Sequence, residues 1–265
     1  MIDLKKVCNE IEIAVLETEK FIIRESGKFD IALTETKGLH DFVSYVDKGS
    51  EQMLVDRLKA IIPDAGFIAE EGTASNKGDK YYWVIDPLDG TTNFVHGIRP
   101  YAISVALTEN GEPVAGVVCN VGGNELFKSW KNGGAWLNEK SINVSSAISL
   151  ADSLVATGFP YKDFSRMDEY MDSLTHFCKS THGIRRLGSA SIDLAYVACG
   201  RFEAFYEYDL KIWDVAAGII LVREAGGRVS NFSGNETMLD GNEIVAAGSN
   251  VFPEFLENVS KFILK

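Results

Sequence analysis

Apolar residues at Leu4, Val7, Ile11, Val15 and Ile22 recur at close to 3.6 residues, which predicts an amphipathic helix ending at Gly27. A second periodic stretch, 47–62, carries Met53, Leu54, Leu58, Ile61 and Ile62 and predicts a helix that Pro63 stops. The pattern then shortens. Apolar runs at 66–69 and 82–85, each ending in acids, read as buried strands. Runs at 101–107 and 114–119, joined by Glu109-Asn110-Gly111-Glu112-Pro113, predict a hairpin, with further strands at 126–130 and 135–137. The rest alternates: strand 154–156, helix 168–177, helix 189–198, strand 202–206 and helix 214–225, which Gly226 and Gly227 close. Strands at 228–229 and 243–247 and a terminal helix after Pro253 complete the chain.

These elements predict an α+β fold, a layered mixture of helices and mostly antiparallel sheet. We expect one unit, 1–265, with a soft division into a hairpin-rich half, 1–150, and an alternating half, 151–265. A hydrophobic content of 46% is enough to form a packed core and excludes a disordered chain. With 26 Lys and Arg against 38 Asp and Glu, the net charge of −12 argues against a nucleic-acid surface. Acidity alone otherwise means a solvated exterior. No run approaches the ~18 apolar residues of a membrane span, and the N-terminus lacks a signal-peptide core. Cys8, Cys119, Cys178 and Cys199 form no CxxC pair, which points to a reducing compartment. A cytoplasmic protein is expected, with neither membrane nor nucleic acid as partner.

The informative residues are acids placed where apolar elements meet loops: Glu70-Glu71-Gly72, Asp86-Pro87-Leu88-Asp89-Gly90-Thr91-Thr92, and Asp214 after Trp213. Carboxylates brought together repel unless protons or a cation intervene, and oxygen-only ligands suit a hard cation such as Mg²⁺. Asp86 and Asp89, with Pro87 between them, can aim at one point, and the Leu88 carbonyl adds an oxygen. Gly90-Thr91-Thr92-Asn93 reads as a helix start. Each piece also has a plain reading. Asp-Pro is a common turn, Glu-Glu a solvated loop, and Asp214 and Asp47 are ordinary N-caps. Thr91 can be a backbone-capping hydroxyl, and His96 a structural hydrogen-bonding group at a helix end.

Taken together, Trp83-Val84-Ile85-Asp86-Pro87-Leu88-Asp89-Gly90-Thr91-Thr92-Asn93-Phe94 and Trp213-Asp214-Val215-Ala216-Ala217-Gly218 resemble the two signatures of the inositol monophosphatase family. Ile68-Ala69-Glu70-Glu71-Gly72 resembles the acidic pair that the family carries upstream, and the likeness extends over nearly the whole chain. The resemblance implies an α-β-α-β-α layered fold shared with fructose-1,6-bisphosphatases. It also implies Mg²⁺-dependent, Li⁺-sensitive hydrolysis of a phosphate monoester, and a homodimer. By position, Glu70, Asp86 and the Leu88 carbonyl would hold one metal; Asp86, Asp89 and Asp214 a second; Glu70 and waters a weaker third. Thr91 with Asp47 would activate the attacking water, and the Gly90 and Thr91 amides would bind phosphate oxygens.

For the substrate, the resemblance points to inositol 1-phosphate. Glu207 stands where the family keeps a hydroxyl-binding glutamate, and Gly188 and Ala190 where it keeps its sugar pocket. Lys37 resembles the family's lysine beside a metal-bound water, although its loop to Asp41 is one residue shorter. Thr92-Asn93-Phe94 favours the inositol branch over relatives acting on 3′-phosphoadenosine nucleotides or histidinol phosphate, and a relative acting on fructose-1,6-bisphosphate is a further alternative. A rival of another class is a regulatory binding protein that keeps the fold.

Overall fold

The computed structural model describes residues 2–28, 35–38, 41–74, 76–237, 240 and 242–264, and of 35–38 and 41–43 the backbone alone. Helix α1, Leu4–Ser26, is capped by Asp3, whose carboxylate accepts the Lys6 N–H at 3.1 Å. Strands β1, Glu35–Gly38, and β2, Asp41–Val43, pair antiparallel ahead of α2, Tyr45–Ile61. Their short length left no periodic signal. Helix α2 begins earlier than its apolar pattern suggests. Ser44 is the N-cap and accepts from Val46 N–H, while Asp47 at the third helical position accepts the Ser44 N–H at 2.8 Å. Asp47 is thus half of a capping box and not the cap itself.

Seven strands form the first sheet in sequence order: β3 Gly66–Ala69, β4 Tyr81–Asp89, β5 Ala102–Glu109, β6 Glu112–Asn120, β7 Glu125–Trp130, β8 Ala135–Leu137 and β9 Lys140–Ile142. Only the β3–β4 pair is parallel. A one-turn helix, α3 Thr91–Val95, separates β4 from β5. The β5–β6 hairpin is tighter than the five-residue connection expected. Asn110 and Gly111 alone make the turn, at φ 53° and 85°, the left-handed pair that matches strand twist.

The second sheet has the order β11-β10-β12-β14-β13, from β10 Leu154–Thr157, β11 Gly183–Arg185, β12 Ala204–Tyr208, β13 Gly227–Ser230 and β14 Glu243–Gly248. Strand β12 lies two residues later than its apolar run suggests. Helices α4 Met167–Ser180, α5 Ala190–Ala198, α6 Ile212–Glu224 and α7 Phe252–Ile263 complete the fold.

Three apolar clusters define the layers. Helices α1 and α2 pack on one face of the first sheet through Ile11, Val15, Leu54 and Leu58 against Ile103, Val105 and Leu107. Helices α5 and α6 fill the space between the sheets through Leu194, Val215, Ile219 and Val222. Helices α4 and α7 cover the outer face of the second sheet through Tyr170, Phe177, Phe255 and Val259. The α-β-α-β-α layering is therefore present. Alternation along β5 explains how one strand serves two helical layers. Its large residues face α1 and α2, whereas Ala102 and Ala106 face the central layer. Gly116 of β6 lets α6 approach closely, since a Cβ there would lie 2.9 Å from the Ala217 Cα.

Candidate active site

The acids of β4 sit on a distorted strand and not in a loop. Asp86 pairs with Ser104 and Asp89 with Ala102, with a register shift between them. Pro87 has no N–H to donate, and the Asp86 carboxylate accepts the Leu88 N–H at 2.9 Å, turning the chain locally. The parallel register brings Ala69 level with Ile85, and the Glu70 N–H donates to the Ile85 carbonyl at 3.2 Å. Glu70 is thereby carried to the side of Asp86.

Asp214 arrives from the other half of the chain. The Ser104 hydroxyl, opposite Asp86 in the register, donates to the Trp213 carbonyl at 3.3 Å and holds the start of α6 against the sheet. Asp214 is not the cap of that helix. It occupies the third position and accepts the Lys211 N–H at 2.6 Å. Oxygens of Asp86, Asp89 and Asp214 all lie within 4.8 Å of one another. Asp86 is 2% and Asp89 8% exposed. Burial raises the Asp86 carboxyl well above its ordinary range, and Glu70, Asp89 and Asp214 raise it further. Burial and then Asp89 push Asp214 up to about 7, against the opposing Lys211 N–H. Three mutually destabilised carboxylates with no basic group among them fit a divalent cation, which removes the repulsion that the protein leaves in place.

Asp89 is the most firmly held of the three. Its Oδ2 accepts the Ser189 hydroxyl at 2.7 Å, the Ser191 N–H at 2.8 Å and the Ser191 hydroxyl at 2.5 Å. Burial raises its pKa while these bonds oppose the rise. Neither serine was predicted to hold Asp89, because their contacts span about 100 residues and leave no local pattern.

The Thr91 Oγ1 lies 3.2 Å from Asp47 Oδ1 and 2.9 Å from the Leu88 carbonyl. Asp47 is wholly buried and takes the Ser44 N–H and hydroxyl on its other oxygen. Burial lifts its pKa and the Ser44 bonds counter the lift. Gly90, at φ 89°, is required twice over: the backbone is left-handed, and a Cβ would lie 3.0 Å from the Gly188 carbonyl. Asn93 ties the two halves together by donating to the Pro100 and Leu187 carbonyls at 2.7 and 2.8 Å.

These groups open on a cavity of about 300 Å³ lined by Glu70, Asp86, Leu88, Asp89, Gly90, Thr91 and Asp214 together with Gly188, Ala190 and Glu207. Among the residues whose side chains are described, the positions expected to act therefore converge, with Asp47 directly behind Thr91. Glu207 lies inside β12, 5% exposed, on the Phe205 face of the pleat. Burial raises its carboxyl well above the ordinary range and Arg186 partly offsets this. Tyr161, Lys162, Arg186 and Asp209 also line the cavity and were not foreseen. Asp209 accepts the N–H groups of Tyr161, Lys162 and Asp163 at 3.1, 2.7 and 3.0 Å, which fixes that rim. The Lys37 side chain lies outside the described atoms.

A model described as the inositol monophosphatase family matches residues 4–263. The chain belongs to the inositol monophosphatase family. Nus factor SuhB of Pseudomonas aeruginosa is 40% identical over 245 residues, covering 91% of this chain and 90% of that protein. Inositol-1-monophosphatase of Rhizobium meliloti is 39% identical over 249 residues, covering 94% of each. Among solved structures, the extragenic suppressor protein suhB of Bartonella henselae superposes with a TM-score of 0.90 at 35% identity, over 97% of this chain and 99% of that one. The chain is thus a phosphatase of this family by descent and fold, and its Asp86, Asp89 and Asp214 cluster could hold a metal ion. Among the described residues, no helix is long and apolar enough to cross a membrane.

Proposed function

We propose that this protein hydrolyses a polyol phosphate monoester, inositol 1-phosphate foremost, with Mg²⁺ held by Asp86, Asp89, Asp214, Glu70 and the Leu88 carbonyl. The observation that carries the reading is one cavity in which three acids within 4.8 Å face Glu207 and border the Thr91–Asp47 pair. Bound divalent ions supply Lewis-acid polarisation of the phosphoryl group and a more acidic water. The protein supplies the rest. When the Thr91 hydroxyl donates to Asp47, the Thr91 oxygen turns a lone pair toward the attacking water and takes a proton from it as its own hydroxyl proton passes to Asp47. The Gly90 and Thr91 amides receive phosphate oxygens, and Glu207 accepts a hydrogen bond from a substrate hydroxyl beside Gly188 and Ala190.

The test is a panel of inositol 1-phosphate, 3′-phosphoadenosine 5′-phosphate, fructose-1,6-bisphosphate and histidinol phosphate, ranked by kcat/KM in Mg²⁺ buffer. Inositol 1-phosphate should lead. Asp89→Asn should lower kcat by at least about 100-fold while the fold survives. Wild-type turnover in that variant would remove the metal assignment. Lithium inhibition, a homodimer and a cytoplasmic setting belong to the same proposal and are checked by assay in LiCl, sedimentation and fractionation.

The relatives called Nus factor SuhB favour a second reading, in which the protein also acts through contacts with other macromolecules. Association partners that persist with inactive Asp89→Asn would separate that role from hydrolysis.

A further inference from the structure

Glu51 belongs to none of the groups assigned above, yet it is a wholly buried carboxylate on α2, one helical turn after Asp47. Residues four apart share a helix face. Its Oε2 accepts the Glu71 N–H at 2.7 Å. Its Oε1 accepts the Thr73 N–H at 2.7 Å and the Thr73 hydroxyl at 2.6 Å. Gly72, left-handed at φ 70°, lets the 71–73 segment curl around that carboxylate. Glu70 is therefore clamped from both sides: its own N–H is bonded to the Ile85 carbonyl of β4, and the next N–H to Glu51.

We propose that Glu51 is a positioning residue for the metal centre. It sets the place of Glu70, as Asp47 on the same helix face sets the place of Thr91. One face of α2 then aligns two separate parts of the site, the carboxylate on the β3 side and the hydroxyl after β4. A buried carboxylate with three donors holds a loop more firmly than a neutral group, because charge-assisted bonds are the stronger kind. Glutamine keeps the size of Glu51 but turns one of its two acceptors into a donor, which then faces an N–H and releases one anchor. The inference rests on the metal-centre reading of the preceding section and extends it to a residue that lies behind the site.

The experiment is titration of the full-length protein with Mn²⁺ alone, followed by calorimetry, for wild type, Glu51→Gln, Thr73→Val, Glu70→Gln and Asp89→Asn. Glu51→Gln should weaken Mn²⁺ binding by about tenfold, as loss of a group supporting a ligand does. Thr73→Val, which removes only the hydroxyl bond, should weaken it by about threefold. At saturating Mg²⁺, Glu51→Gln should recover most of its kcat with KM for substrate little changed, a split that general destabilisation does not produce. Mn²⁺ affinity within about twofold of wild type in Glu51→Gln, with clear loss in Glu70→Gln, overturns the positioning role and leaves the metal centre standing. Should Glu51→Gln not fold, Thr73→Val decides on the same criterion. If neither Glu70→Gln nor Asp89→Asn weakens binding, the metal centre itself falls, and the role of Glu51 with it.

Discussion

At the scale of single residues, Asp89 is an acid whose orientation is set by neighbours that carry no charge. Ser191 gives Asp89 Oδ2 both an N–H and a hydroxyl, and Ser189 a third bond, so the carboxylate is held in one orientation. A buried hydrogen bond to a charged group contributes about 1.5–3 kcal/mol. Ser191→Ala should therefore weaken divalent-ion binding by roughly tenfold, read by calorimetry, with the fold retained. Unchanged affinity would show that two bonds already suffice. Glu207 acts on the substrate side. Glu207→Gln should lower kcat/KM for inositol 1-phosphate by about tenfold and leave p-nitrophenyl phosphate, which offers no polyol hydroxyls, nearly unaffected. An equal loss on both substrates would remove Glu207 from specificity. Most of these acids were legible in the sequence, because acids beside Pro and Gly at element ends break the apolar pattern. The helix-start roles were misplaced by a few residues. Ser44-Tyr45-Val46-Asp47 has the spacing of a capping box, a signal that was present but overridden by the apolar period.

At the scale of elements, close contacts decide where the acids end up. Helix α6 carries Asp214 and lies on β6 at Gly116, where a Cβ would meet the Ala217 Cα at 2.9 Å and the Ile220 Cγ2 at 2.8 Å. Backbone atoms cannot yield as a flexible side chain does. Gly116→Ala should therefore lift α6 from the sheet, destabilise the protein by about 1–3 kcal/mol in urea unfolding and weaken metal binding. A stability equal to wild type would mean that α6 adjusts freely. The strands themselves were mostly legible, since apolar runs of four to nine residues bounded by Gly, Pro and Asn leave few alternatives. Strands β9 and β11 were not, because Lys140–Ile142 and Gly183–Arg185 each carry a single isoleucine and so show no apolar run. The continuation of β4 through Asp86 and Asp89 was also hidden. Pro87 signals a turn, and only pairing with β5 shows that the strand resumes after a bulge.

At the scale of the whole molecule, acidity and stability are linked. Burial pushes Asp214 up to about 7 in the fold against an ordinary value of 3.8, and burial likewise holds Asp86 well above its ordinary range. A carboxyl raised by folding contributes its stability fully below the ordinary value and loses it as pH rises through the folded value. The metal-free protein should therefore lose stability as pH rises from about 4 through 7. Added Mg²⁺ binds the ionised form and should raise Tm more at pH 8 than at pH 5. Melting curves in EDTA and in Mg²⁺ across this range are the check. A flat metal-free profile with no Mg²⁺ response at pH 8 would oppose it. The net charge of −12 thus has a local component: Asp86, Asp89 and Asp214 stand together without a basic residue among them.

By itself, the sequence determined the family, the five-layer class of fold and which acids line the cavity, since periodicity and signature motifs are properties of neighbouring residues. Tertiary structure alone decided how those acids are held. The parallel register sets Glu70 beside Asp86, Ser189 and Ser191 reach back about 100 residues to Asp89, and Glu51 fixes the Glu71–Thr73 segment from another element. The physical reason is range. Local patterns record which way a side chain faces, whereas hydrogen bonds between distant segments exist only once packing has brought them within 3 Å.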